Sequence, residues 1–247
     1  MYSLIAIILG TLTFAFLLVH FIAYWLVGKT IKQDVAEKLH STASITVSSK
    51  PWLSFAPKEN PLKAGMIFHP GGYVDPDAYT HLLSATAEQG ILCVAIPGRF
   101  RIPILNRFAA AKVMAEHPSI EHWFIAGHSI GGVVCNLFLY GRNTPAIKGM
   151  ILLGSFCIDR FSLADRQLAT LSIYGTEDRL AHKFTRFEKN LPSPYQSMVI
   201  KGGNHGQFGS YTHHLHDNPA LISREQQQDL TITAVTEFIA SVLEQEH

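Results

Sequence analysis

Charged side chains are scarce in this sequence. Asp, Glu, Lys and Arg make up 16% of 247 residues, and 20 basic against 19 acidic groups leave a formal charge of +1. A nucleic-acid binder needs a basic stripe to meet phosphate, and this balance excludes that class. Cysteine is rarer still. Cys93, Cys135 and Cys157 are odd in number and sit inside apolar runs, so they read as small core residues, not as a disulfide framework or a zinc site. Internal repeats and low-complexity tracts are missing. The apolar share of 47% excludes a disordered chain. The length fits one α/β domain, which buries roughly 70–75% of its unfolded surface without covalent staples.

The longest absence is of charge at the start of the chain. No charged side chain precedes Lys29, and from Leu4 to Val27 only Gly10, Thr11, Thr13 and His20 interrupt an apolar run. As a helix this run reaches roughly 36 Å, enough for a hydrocarbon core of about 30 Å. Tyr2, Tyr24 and Trp25 lie near its ends, where amphipathic rings favour the membrane interface. A cleaved signal would carry a basic start and a small-residue cleavage site. Met1-Tyr2-Ser3 has no basic side chain, Phe21 to Trp25 offers no such site, and no cysteine follows closely enough for a lipoprotein signal. The run is therefore expected to be an uncleaved single-pass anchor, residues 1–28, in contact with membrane lipid. Residues 29–50 read as a juxtamembrane linker. Within it Ile31, Val35 and Leu39 recur every four residues, which suggests a short surface helix over Lys29–Ala43. Lys29, Lys32 and Lys38 follow the anchor, and the positive-inside rule then places the bulk of the chain in the cytoplasm.

Beyond the linker, short apolar runs alternate with longer helical patterns. Strands are expected at Ser44–Val47, Trp52–Phe55, Ala64–His69, Ile91–Ile96, Trp123–Ala126, Lys148–Leu153, Thr170–Tyr174 and Ser197–Ile200. Helices are expected at Asp77–Gln89, Leu105–His117, Ile130–Tyr140 and Arg224–Glu246. Continuous apolar strands alternating with helices imply a mostly parallel central sheet with helices on both faces. In such a sheet a ligand site lies outside the carboxyl ends of the strands, so a functional motif should directly follow a strand. Only residues 154–169 separate two of the strands, too few for a lid domain.

Gly127-His128-Ser129-Ile130-Gly131 has the pattern G-x-S-x-G, and it lies between an expected strand and an expected helix. A nucleophile elbow needs that setting, with glycines around a serine held in a strained turn. A serine hydroxyl is a poor nucleophile near neutrality and needs a base. Among 13 histidines, His205 stands in the loop Lys201-Gly202-Gly203-Asn204-His205-Gly206, just after the last strand. An imidazole needs a carboxylate to orient it. Asp178 follows the strand Thr170–Tyr174 and is the expected acid, with Glu177 its rival one residue earlier. Acyl transfer also needs oxyanion donors. The amide of Ile130 is the first candidate; the second is Tyr73, with Gly72 as the fallback, in the loop His69-Pro70-Gly71-Gly72-Tyr73. His213, His214 and His216 cluster locally, but no partner pattern completes a metal site, and they read as a solvated loop. Neither a cofactor nor a metal is expected.

These residues resemble the α/β-hydrolase superfamily. The stretches PGGYVDPDAY (70–79), GHSIGG (127–132), SIYGTEDRLA (172–181), GGNHGQFGSY (202–211) and ISREQQ (222–227) are similar to its compact, dienelactone-hydrolase-like bacterial branch, the alpha/beta hydrolase fold-5 group, over residues 51–240. The resemblance implies an α/β-hydrolase fold over residues 51–247. It also implies Ser129 as nucleophile, Asp178 as acid and His205 as base. The expected chemistry is hydrolysis of a carboxylic ester or related acyl bond in a small-molecule substrate. Lactonase, thioesterase, peptidase or an idle binding role on the same triad are the alternatives. Members of this branch often begin with a hydrophobic segment, and many display the domain outside the cytoplasm, opposite to the side that the lysines favour. Residues 212–221 depart from the branch, carrying histidines where a glycine-rich acidic stretch is expected.

Overall fold

The computed structural model describes residues 2–26, 28–212 and 217–245. The side chains of Tyr2, Tyr24 and Trp25, and the cluster His213, His214 and His216, lie outside the described residues. The first element, α1 (Tyr2–Leu26), is a single helix. Its window Ile5–Ile22 has a mean hydropathy of 2.5, and none of that window is buried in the protein. It is long and apolar enough to cross a membrane. Thr11 and Thr13 turn their hydroxyls back onto the carbonyls of Ile7 and Leu9, at 2.9 and 2.8 Å. Such back-bonding satisfies a hydroxyl where no water is at hand.

The helix expected over Lys29–Ala43 forms only in part. α2 (Lys32–Val35) is one turn long and runs into a 3-10 turn at Ala36–Leu39. Before it the chain is pulled straight, because Thr30 pairs with Tyr211 in an isolated antiparallel bridge. Val35 is buried, so the linker is packed on the domain.

Eight strands form one sheet. They are β1 (Ile45–Ser48), β2 (Leu53–Pro57), β3 (Ala64–His69), β4 (Leu92–Ala95), β5 (His122–His128), β6 (Ile147–Leu153), β7 (Ala169–Gly175) and β8 (Tyr195–Ile200). Their order is β1-β2-β4-β3-β5-β6-β7-β8, with β1, β2 and β4 meeting antiparallel and the rest parallel. β1, which lies within the segment expected as linker (29–50), pairs with β2 in this sheet.

The strands alternate between two cores with the period of two that a pleated strand dictates. Met66, Phe68, Phe124 and Ala126 face one core, shared with α3 (Thr80–Glu88) and α7 (Arg224–Glu244). Ile67, Trp123, Ile125 and Leu152 face the other, shared with α4 (Ala109–Glu116) and α5 (Ile130–Leu139). A further helix, α6 (Ala181–Phe187), lies after β7 and has no counterpart in the expected elements. Its seven residues are too few to show a clear helical period. Cys93, Cys135 and Cys157 are buried free thiols, and burial pushes the Cys157 thiol up to about 12. The β6–β7 connection contains only a 3-10 turn at Asp159–Phe161, and no lid domain.

One core side chain sits uneasily. His69, the last residue of β3, is fully buried, and neither ring nitrogen has a hydrogen-bond partner among the described residues. Burial lowers its pKa from 6.5 to about 4. The folded protein therefore holds the ring neutral while the unfolded chain takes up a proton. Stability is full above 6.5 and is lost as pH falls from 6.5 towards 4. Between pH 7 and pH 5 this one group should remove about 2 kcal/mol. Comparing unfolding midpoints at the two pH values should show that loss in the wild type and a smaller one in His69→Leu.

Candidate active site

The elbow is built by a strand that turns into a helix with no loop between. β5 ends at His128 and α5 begins at Ile130, which leaves Ser129 alone at the corner. Its φ of 55° and ψ of −123° lie outside the ordinary regions for a residue with a side chain. Two bonds hold that strain. The Ser129 amide donates to the Leu153 carbonyl at 2.9 Å, and Ser155 Oγ donates to the Ser129 carbonyl at 2.7 Å. Gly131 must be glycine, because a Cβ there would collide with the carbonyl oxygens of His69 and Pro70. The Gly132 and Val133 amides donate to the Ser129 carbonyl at 3.0 and 3.4 Å, while those of Ile130 and Gly131 have no acceptor among the described residues, so the helix start beneath Ser129 favours negative charge.

His205 and Asp178 meet on the same edge. His205 Nδ1 lies 2.7 Å from Asp178 Oδ2, and both side chains are buried. Asp178 Oδ1 accepts the Leu180 amide at 2.8 Å, so both carboxylate oxygens are engaged. Glu177 does not compete: its Oε1 accepts the neighbouring Thr176 hydroxyl at 3.0 Å. Gly154, with φ of 51°, passes directly under the pair. A Cβ there would stand 3.0 Å from His205 Nδ1 and 3.2 Å from Asp178 Oδ2. Leu153, Gly154 and Ser155 thus hold the elbow on one side and border the imidazole–carboxylate pair on the other.

Three contributors escaped the sequence reading. The first is His128. Its ring lies 4.7 Å from that of His205, centroid to centroid. His128 Nε2 is 3.0 Å from the His205 carbonyl, which can only accept, so Nε2 carries the proton. The other nitrogen of the neutral ring, Nδ1, then accepts from Tyr79, whose oxygen is 2.8 Å away. Tyr79 Oη in turn accepts the Gly71 amide at 3.0 Å. Burial pushes the Tyr79 hydroxyl well above its ordinary value, so it stays a donor. The second contributor is Gln227 of α7. Its side-chain amide clamps Asn204, accepting the Asn204 amide at 2.9 Å and donating to the Asn204 carbonyl at 2.8 Å. The third is Asp217, which accepts the Gly206 amide at 2.7 Å. Burial raises its carboxyl pKa, against the pull of that bond. Side chains so distant in sequence leave no spacing signal in the chain.

The loop 69–73, expected to supply an oxyanion donor, corrects one expectation. The Tyr73 amide donates to the Arg101 carbonyl at 2.8 Å and is not available to a substrate. The reason is local backbone geometry: Tyr73 has φ of 61°, which turns its amide towards Arg101. The fallback, Gly72, stands next to the elbow, where a Cβ would be 3.3 Å from Ile130 Cγ2. Its amide has no acceptor among the described residues. Gly72 and Ile130 therefore remain the two candidate donors, with Gly72 lying close to the Ile130 side chain.

Tyr73 has a different partner. Its hydroxyl is 2.9 Å from His20 Nδ1, so α1 reaches the oxyanion loop directly. Just beyond the helix, the Gly28 amide donates to Thr212 O at 3.2 Å and the Thr212 amide to Lys29 O at 2.7 Å. The Ile31 amide donates to Ser210 O at 2.9 Å. The chain leaving α1 is thus strapped along the segment that follows His205. A cleft of about 510 Å³ lies under this strap, lined by Asp34, His81, Ser210 and Arg224, away from Ser129.

With this geometry in view, relatives can be compared. A family model described as "Alpha/beta hydrolase family" matches residues 65–229. The chain belongs to the alpha/beta hydrolase family. No functionally curated protein matches it. Among solved structures it is similar to a protein of Thermus thermophilus, TT1662, at 16% identity and a TM-score of 0.57, covering 81% of this chain and 98% of that one. It is also similar to the "predicted CIB-like hydrolase" of Thermoplasma acidophilum, at 12% identity and a TM-score of 0.54, covering 77% and 96%. At these identities the likeness is one of fold.

Tyr79→Phe should expose how much the buried chain of bonds contributes. It removes the hydroxyl that the Gly71 amide and His128 Nδ1 share, at a cost of about 1–3 kcal/mol. Chemical unfolding of the variant should show a midpoint lowered to match.

Proposed function

We propose that this protein is a membrane-anchored serine hydrolase that cleaves carboxylic esters or related acyl bonds through an acyl-enzyme. The observation that carries the reading is the conjunction on one sheet edge: a serine at φ 55° on a strand–helix corner, and a buried His205–Asp178 pair bonded at 2.7 Å. His205 takes the Ser129 proton as the hydroxyl attacks the acyl carbon. Asp178, bonded to Nδ1, keeps the other ring nitrogen facing the reaction and stabilises the imidazolium that forms. The Ile130 and Gly72 amides receive the oxyanion. His205 then passes its proton to the leaving group, activates water, and the acid is released.

The motifs also favour the dienelactone-hydrolase-like branch within the family. The anchoring part of the proposal rests on α1, whose apolar window lies wholly outside the protein core. A helix with a mean hydropathy of 2.5 and none of that window buried suits a hydrocarbon surrounding.

Labelling with a fluorophosphonate serine probe is the first test. Wild type should label and turn over short esters, and Ser129→Ala should do neither. Asp178→Asn should keep the fold but lose about 10⁴-fold in kcat, because its imidazole is held in the wrong tautomer. A folded wild type that takes no label would favour a binding protein on a hydrolase fold. Parallel rates on ester, lactone, thioester and peptide substrates would then decide among acyl groups.

A further inference from the structure

A tight turn on the carboxyl edge has no part in the chemistry. Arg99 and Ile102 form an antiparallel bridge, and the Ile102 amide donates to the Arg99 carbonyl at 3.0 Å. Between them Phe100 and Arg101 have φ of 55° and 60°. A two-residue turn with both φ values positive normally carries Asn-Gly or Gly-Gly. Here it carries a large aromatic side chain and an arginine, in a conformation that a Cβ disfavours. Backbone strain of this kind persists where the surroundings hold it, and it points to a use for the side chains.

The turn lifts Phe100 away from the domain. The ring is 61% exposed, and the Arg99 guanidinium lies 5.3 Å from its centroid. Leu105 follows on the same loop, also exposed. From residue 98 to 115 the sequence carries Arg99, Arg101, Arg107 and Lys112 and no acid at all. Arg101 fixes where the turn sits. Its Nη2 donates to the Gly28 carbonyl at 2.8 Å, and its Nε pairs with Asp75 at 3.1 Å. Gly28 stands two residues beyond the end of α1. The Arg101 carbonyl holds the Tyr73 amide, and the Tyr73 hydroxyl reaches His20 within α1. The exposed Phe100 is thus the immediate neighbour of a residue bonded both to the chain beyond α1 and to the loop that holds Tyr73.

We propose that this turn is a second membrane contact. Phe100 and Leu105 enter the interfacial layer of the bilayer that α1 crosses, while Arg99 and Arg107 meet anionic lipid headgroups. The inference rests on α1 being a membrane span. A lipid surface is the occupant that fits, because the patch joins exposed aromatic and aliphatic side chains to Arg99 and Arg107 and is bonded to the chain just beyond the inserted helix. The consequence concerns substrate. Gly72 and the triad open beside the bilayer, so the acyl compounds presented to them are lipid esters that partition into that surface.

The full chain, reconstituted in phosphatidylcholine–phosphatidylglycerol vesicles, provides the test. The three native cysteines are buried, so a polarity-sensitive dye can be attached selectively at Phe100→Cys, or at Glu59→Cys on the opposite edge of the sheet. The dye at position 100 should shift to the blue and be quenched by nitroxide-bearing lipids, and the dye at position 59 should not. In a second arm, Phe100→Ser should turn over a short soluble ester like the wild type, yet lose about fivefold or more on an ester carried in the vesicles. Equal exposure of the two dyes, with the chain still resisting an alkaline carbonate wash, overturns the turn's role and leaves the anchor standing. Release of the chain by that wash overturns the anchor and this proposal with it. A dye at position 100 that is shielded only as protein concentration rises, with no lipid quenching, assigns the patch to a second copy and also overturns it.

Discussion

The His128 ring binds three segments of the chain to a single strand. Through Nε2 it holds the carbonyl of His205, and through Nδ1 and Tyr79 it holds the amide of Gly71. Ser129 is the next residue, so the elbow, the oxyanion loop and the histidine loop share one buried hydrogen-bonded chain. Buried polar groups are costly unless every one is partnered, and this chain partners each in turn. The remaining supports act on the same loops. Gln227 grips Asn204 from α7, Asp217 caps Gly206, and Asp178 fixes the imidazole. A hydrolytic site on loops needs such bracing, because small displacements of the reacting groups carry large kinetic penalties.

The same edge of the sheet receives α1. Its single mid-helix imidazole is bonded to Tyr73, and the chain leaving it runs along Ser210–Thr212 before turning into α2. The apolar helix is thus joined to the loops around the candidate site, and the first sheet strand follows only after this strap. Arg224 adds to the strap from α7, pairing with Asp34 at 2.9 Å.

Much of this was readable along the chain. All eight strands stood out, because most are apolar runs bounded by turn residues, and the parallel ones from β3 to β7 are largely buried, whereas the edge strand β8 is mostly exposed. The triad candidates were legible for a related reason: each stands directly after a strand, where the carboxyl edge of a parallel sheet gathers its loops. Boundaries were less clear. The linker pattern Ile31-Val35-Leu39 suggested a longer helix, but pairing of Thr30 with Tyr211 competes with helix formation there. α6 passed unnoticed because its local pattern is too short. The preference for the Tyr73 amide failed because one positive φ redirects it to Arg101, a partner 28 positions later.

The sequence by itself determined the apolar helix, the strand–helix alternation, a glycine-flanked serine between a strand and a helix, and the candidate imidazole and carboxylate of the proposed site. These follow from periodicity and from residue types at strand ends, which are local properties. Only the tertiary structure decided that Gly72 lies beside the Ile130 side chain, that His128 and Tyr79 lock the loops together, and that Arg101 bonds to the chain beyond α1. Those choices depend on atoms brought within 3 Å or so from distant parts of the chain, and hydrogen bonds of that kind leave no mark on residue spacing.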